Sequence, residues 1–158
     1  MGVAGSGKTT IGTVLADKLA WLFADADSFH PQANIDKMSA GIPLTDDDRI
    51  PWLDSMRAQL QRWIEENKNV VLACSALKAT YRERLQFDAG VAFVYLKGDF
   101  QLFEKRLATR QQHYMKSNML LSQFEALEEP ENALIVDAAD SCDTIVEKII
   151  EQLCLPAA

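Results

Sequence analysis

The sequence predicts an α/β fold: one domain over residues 1–158, in three layers, with a central parallel sheet between helices. Three observations carry this. The stretch "MGVAGSGKTT" fits G-x-x-x-x-G-K-[ST], with Gly2, Gly7, Lys8 and Thr9 at the fixed positions. Beyond it, short apolar runs alternate with stretches of helical periodicity to the end of the chain. Such alternation means βαβ units, whose parallel strands are covered by helices on both faces.

The elements follow in order. Gly2, Gly5 and Gly7 let the opening loop bend around an anion with its N–H groups turned inward. A buried strand usually delivers the chain into such a loop, and here only Met1 precedes it. An apolar strand upstream of Met1 is therefore expected in the natural protein, and the sheet of this chain is expected to lack its first strand. Ile11, Val14, Leu15 and Leu19 share one stripe and predict a helix from Lys8 to Leu19. "WLFA" (21–24) reads as a strand running into "DAD". Residues 28–50 read as irregular or loosely helical. Pro51 suits the first position of a helix, and Trp52, Leu53, Met56, Leu60, Trp63 and Ile64 recur behind it at helical spacing. "NVVLAC" is a second strand, "KATYRERLQF" a helix and "VAFVYL" a third strand. A helix follows over about 100–110. "QQHYMKSN" is polar and aperiodic, "MLLSQFEAL" helical again, and "ALIVD" a fourth strand. Ile145, Val146, Ile149, Ile150 and Leu153 mark a closing helix.

Composition narrows the function. The chain has 158 residues, 48% hydrophobic and 25% charged, so it can bury a core without disulfide staples. A net charge of −7 argues against nucleic acid or an anionic membrane as partner. Cys74, Cys142 and Cys154 form no CxxC pair, as expected of reduced thiols in a cytoplasmic protein. No apolar run approaches the ~18 residues of a membrane span. Met1-Gly2-x-x-x-Ser6 also fits an acylation pattern, but the phosphate loop accounts for the same residues with more constraints met.

The loop residues Gly2, Val3, Ala4, Gly5, Ser6, Gly7, Lys8, Thr9 and Thr10 are candidates to bind the phosphates of ATP. Lys8, expected exposed at the loop rim, would reach the β- and γ-phosphates, and the Thr9 hydroxyl would ligate Mg²⁺. The acid that commonly completes such a metal site ends an apolar strand. "NVVLAC" ends in Cys74-Ser75, so the acids of "WLFADAD" take its place. Asp25 lies nearer the sheet and is the metal candidate. Asp27, two residues on, is the candidate to orient an acceptor hydroxyl and take its proton. Arg106 and Arg110, at i and i+4 beside the polar stretch, could close over transferring phosphates. Trp52 and Trp63 read as helix core before sugar-stacking surface.

The stretch "DADSFHPQANIDKMSAGIPLTDDDRIPWL" resembles the signature of the small gluconate kinases (gluconokinases): D-x-D, HP, N, KM, G, PL, D-x-DR and PWL. "CSALKATYRERL", "VYLKGD", "RLATRQQHYM" and "LLSQFEALEEP" resemble further parts of that family's pattern, so the similarity spans about 2–137. The resemblance implies a P-loop kinase akin in fold to shikimate and nucleoside monophosphate kinases. It implies transfer of phosphate from ATP to D-gluconate, giving 6-phospho-D-gluconate, and a homodimer. The acceptor region would be about 27–50 and the lid about 110–120. Asp27 would orient the hydroxyl; Arg49, Lys78 and Arg82 would face the sugar acid; Arg106 and Arg110 would act from the lid side. His30 stays open between substrate contact and a structural hydrogen bond at Pro31. Lys37 and Met38 have no assigned role. The alternatives are a shikimate-like kinase of another small metabolite and a non-catalytic nucleotide-binding module.

Overall fold

The structure is a computed structural model; it describes the backbone of residues 1–109 and 113–156, and the side chains of these outside 113–118. Helix α1 (Lys8–Leu19) follows Gly7, which turns the chain at a φ of 96°. It buries Ile11, Leu15 and Leu19 of the predicted stripe and leaves Val14 partly exposed. At Gly12 a Cβ would lie 2.9 Å from the Phe23 ring, so only glycine lets α1 sit this close to its strand. That strand is β1 (Leu22–Asp25), one residue later than the sequence suggested. It pairs in parallel with β2 (Val70–Ala73), Leu22 opposite Val70 and Asp25 opposite Ala73.

Between β1 and β2 the chain is more helical than expected. A 3₁₀ turn (Ala26–Phe29) leads to α2 (Gln32–Ser39) and then α3 (Asp46–Glu65). Helix α3 begins at Asp46, not at Pro51. Thr45 Oγ1 accepts from the Asp48 amide while the Asp48 carboxylate accepts from the Thr45 amide, a reciprocal cap that satisfies two donors at the helix start. Asp46, Asp47 and Asp48 in the first turn also face the positive end of the helix dipole. Helix α4 (Ala79–Leu85) follows β2.

A second parallel pair joins β3 (Val94–Lys97) and β4 (Leu134–Asp137), with Val94 opposite Leu134. Helix α5 (Phe100–Ala108) is capped by Asp99, whose carboxylate accepts from the Leu102 amide. Helix α6 (His113–Ala126) begins inside the stretch read as aperiodic, and Phe124 packs its ring on Phe100 and Phe103 of α5. Residues 110–112 of the expected lid lie outside the described residues. Helix α7 (Cys142–Gln152) closes the chain, with Ser141 as its cap.

The expected single sheet is split into two parallel pairs, β1–β2 and β3–β4. Among the described residues, Met1 and Gly2 bridge them. The Met1 amino group donates to the Val94 carbonyl, the Leu96 amide donates to the Met1 carbonyl at 3.0 Å, and the Gly2 amide donates to the Ser75 carbonyl at 3.1 Å. Beside Met1 lies a cavity of about 480 Å³, lined by Val70–Ala73 on one side and residues 91–94 on the other. Among the described residues no strand fills it. Two hydrophobic clusters hold the rest. One gathers Leu15, Leu96, Phe103, Val136, Val146 and Ile149; the other gathers Trp52, Leu53, Met56, Cys74, Tyr81 and Leu85 beneath the 25–50 segment.

Candidate active site

The glycine loop lies where α1, α5 and the bridge from Met1 meet. Gly5 has a φ of 79°, and a Cβ there would stand 3.0 Å from the Phe103 carbonyl. Both facts require glycine, and they seat α5 directly on the loop. Val3 and Ser6 are buried; Thr9 and Thr10 are exposed at the start of α1. Ser6 Oγ is enclosed and makes no hydrogen bond. The Ala4 amide donates to Gln123 Oε1 of α6 at 2.6 Å, so a side-chain oxygen holds one loop donor.

Lys8 is not exposed at the rim. Its ammonium folds back to the Val3 carbonyl at 2.9 Å and is largely enclosed. Burial holds its pKa below the ordinary lysine value, against the pull of Cys74, Asp27 and Asp25. Cys74, at the end of β2 where an acid was missed, is a buried thiol pushed up to about 11 by that burial.

The two acids are placed differently. Asp25 Oδ2 accepts from Thr9 Oγ1 at 3.3 Å, while Oδ1 caps the turn by accepting from the Asp27 amide at 3.1 Å. That turn buries Ala26, whose carbonyl accepts from the Trp52 indole at 2.7 Å, and leaves Asp27 exposed on the open side. A hydroxyl and a carboxylate side by side suit a hard cation that takes its remaining ligands from phosphates and water. Among the described residues no cluster of three acid, histidine or cysteine groups offers a protein-only cage. Mg²⁺ therefore fits this donor pair as a phosphate-bound ion.

Beyond Asp27, the His30 ring stacks on Trp52 with centroids 4.6 Å apart and planes 9° from parallel. Trp52 is core, as read. Asn34, only 3% exposed, donates to His30 Nδ1 at 3.3 Å and to the Asp48 carbonyl at 2.8 Å. Nδ1 is thus an acceptor, which assigns the ring proton to Nε2. Burial lowers the His30 pKa, opposed by Asp27 and reinforced by Arg49. Lys37 finds its role here: it pairs with Asp48 at 2.6 Å and ties α2 to the start of α3.

Arg49 and Lys78 come together on the far side of His30. Both face Asp46: Lys78 Nζ lies 2.6 Å from Oδ2, Arg49 Nη1 3.6 Å from Oδ1, and the Tyr81 hydroxyl donates to Oδ1. Arg82 does not join them. It is buried, and its Nη1 donates to the carbonyls of Ala76 (3.0 Å) and Leu77 (2.9 Å). Ala76 holds a left-handed φ of 44°, and Nη1 of Arg82 pins that turn. Arg106 donates to the Ala138 carbonyl at 2.7 Å, linking α5 to the end of β4. Arg110 lies outside the described residues. Sequence reasoning gave no role to Asn34, Asp46, Tyr81 or Gln123. For Tyr81 a signal exists, since it follows Lys78 by three residues and so shares its face.

The shikimate kinase family model matches residues 4–154 of the chain. The thermoresistant gluconokinase of Escherichia coli (strain K12) is 42% identical over 156 residues, covering 96% of this chain and 89% of its own. A gluconokinase from Sinorhizobium meliloti 1021 superposes with a TM-score of 0.84 at 40% identity, over 98% of this chain and 89% of that one. A sugar kinase from Janibacter sp. HTCC2649 gives a TM-score of 0.88 at 38% identity, covering 98% and 92%.

Proposed function

The chain belongs to the gluconokinase family of P-loop kinases, and from that premise we infer that it transfers the γ-phosphoryl group of ATP to D-gluconate, giving 6-phospho-D-gluconate and ADP. The observation that carries the reading at the level of the site is the line of groups from Thr9–Asp25 through Asp27 to the Arg49–Lys78 pair. It offers, in order, a metal-ready oxygen pair, a free carboxylate and a cationic end.

In the proposed mechanism the loop amides and Lys8 hold the β- and γ-phosphates. Lys8 leaves the Val3 carbonyl for them, because a charge-assisted bond to phosphate is the stronger one. Thr9 and Asp25 would hold Mg²⁺, which supplies neutralisation of phosphate charge. Asp27 orients the acceptor hydroxyl and accepts its proton. His30, with its proton on Nε2, donates to a sugar hydroxyl. Arg49 and Lys78 hold the carboxylate. Arg106 and Arg110 approach the phosphates from the α5 side. A cytoplasmic homodimer without nucleic-acid or membrane partners completes the proposal; among the described residues no helix is long and apolar enough to cross a membrane.

The test is ADP release with MgATP over gluconate, other aldonates, shikimate and nucleoside monophosphates. Turnover selective for gluconate is expected. Preference for shikimate or a nucleotide would point to a rival kinase, and no turnover with any of them to a binding module.

A further inference from the structure

Arg49, Lys78 and Tyr81 form a ready-made carboxylate site, and that site is already filled. One Asp46 oxygen takes the Lys78 ammonium at 2.6 Å; the other takes the Tyr81 hydroxyl and faces Arg49 at 3.6 Å. The three donors come from two elements, α3 and α4 with its leading Lys78, and converge on a single carboxylate. A lysine point charge, a phenol and an arginine fork are the donors a free carboxylate seeks. Asp46 holds the seat from an exposed position. Its side chain is 58% exposed, on the first turn of α3, and Arg49 stands beyond hydrogen-bond reach of it. Two cations meet one anion there, so the site keeps attraction for a second carboxylate. Arg49 and Asp27 both act on the His30 ring, which joins the seat to the proposed acceptor region.

We propose that Asp46 is an internal stand-in for the substrate carboxylate, seated on Arg49, Lys78 and Tyr81 in the free protein and displaced when the sugar acid binds. Tyr81 is then the third donor of the seat. The identity of the incoming acid rests on the gluconokinase reading; the occupied seat does not. The hydrogen bonds from Lys78 and Tyr81 hold the Asp46 carboxyl below the usual carboxylate range, so it is ionised and competes at neutral pH. A competitor lowers apparent affinity by the fraction of protein whose seat is taken. An exposed ion pair is a weak competitor, so its removal should tighten binding by a factor of about two to five.

Calorimetric titration of the whole chain with gluconate, and with the uncharged polyol glucitol, tests this. Asp46→Asn should bind gluconate about two- to fivefold more tightly than wild type, with glucitol unchanged. Tyr81→Phe should cost more gluconate affinity in the Asp46→Asn background than in wild type, because in wild type it loosens the competitor as well. Loss of the Asp46 charge could by itself tighten an anion, so the Tyr81→Phe comparison between backgrounds is what separates displacement from that effect. Gluconate binding by Asp46→Asn that is equal or weaker overturns the proposal, and so does an equal cost of Tyr81→Phe in both backgrounds. Wild-type ADP release reads the reaction separately. Turnover without tightening removes the stand-in and keeps the kinase. Tightening without turnover does the reverse, and absence of gluconate binding in both proteins removes both.

Discussion

At the scale of single residues, Lys8 carries the sharpest expectation. Its ammonium is partly desolvated and held by one carbonyl, so the fold gains little from its charge. Lys8→Met should lower kcat by ~100-fold or more while leaving the melting temperature nearly unchanged; steady-state kinetics beside a thermal melt checks both. The two acids should separate in the same assay. Asp25→Asn, which disturbs the partner of Thr9, should shift the Mg²⁺ dependence; Asp27→Asn should cut kcat with little change in the KM for ATP. Arg82→Met should act on stability alone. It strands the Ala76 and Leu77 carbonyls, at a cost of about 2–4 kcal/mol, with the KM for gluconate unmoved. Loop residues and acids were legible because their chemistry fixes their spacing. Arg82 was not: it follows Lys78 by four residues and looks like its partner on one face. Its fate was decided by the left-handed turn at Ala76, which no residue type announces.

At the scale of elements, α1, β2 and α7 were legible from periodicity, and α3 was legible except for its start. Pro51 is a strong start signal, but the Thr45–Asp48 cap lies upstream of it and satisfies donors that Pro51 cannot. The cap bears on the proposed function as well as on stability, since Asp46 and Arg49 stand on the turns it organises. Thr45→Ala should cost about 1 kcal/mol, or about 2–4 °C of melting temperature in a chain of this size. It should also raise the KM for gluconate more than it lowers kcat. Helix α6 was half-missed because the sequence of its first residues, HYMKSN, carries no apolar stripe at helical spacing. Phe124 alone shows why the helix holds: it packs against Phe100 and Phe103, contacts distant in sequence.

At the scale of the whole molecule, the split between β1–β2 and β3–β4 dominates. A slot lies beside Met1, between Val70–Ala73 and residues 91–94. Met1 pays for standing at its mouth, since burial pushes its amino pKa from 8.0 down to about 5, with Lys8 adding to the shift. The unfolded chain then binds more protons than the folded one between those values, so stability should rise with pH from about 5 to 8. His30, lowered by burial, adds with the same sign below its ordinary value. Asp48, held at about 2 chiefly by Lys37, acts in a separate window: its contribution is present above the usual carboxylate pKa and lost as pH falls toward 2. Melting curves across pH 3–9 should show both limbs. A chain extended by about five β-branched residues ahead of Met1 should melt higher and show a weaker 5-to-8 limb, because the amine leaves the slot and only the His30 part remains. Failure of either change would mean that the slot does not accept a strand. Hydrostatic pressure should expose the same void mechanically. Unfolding typically shrinks a protein by about 20–100 mL/mol, and whatever part of the slot of about 480 Å³ stays dry adds to that loss for this chain. It should denature at lower pressure than its extended form, with the difference in unfolding volume reporting how much of the slot the added strand fills.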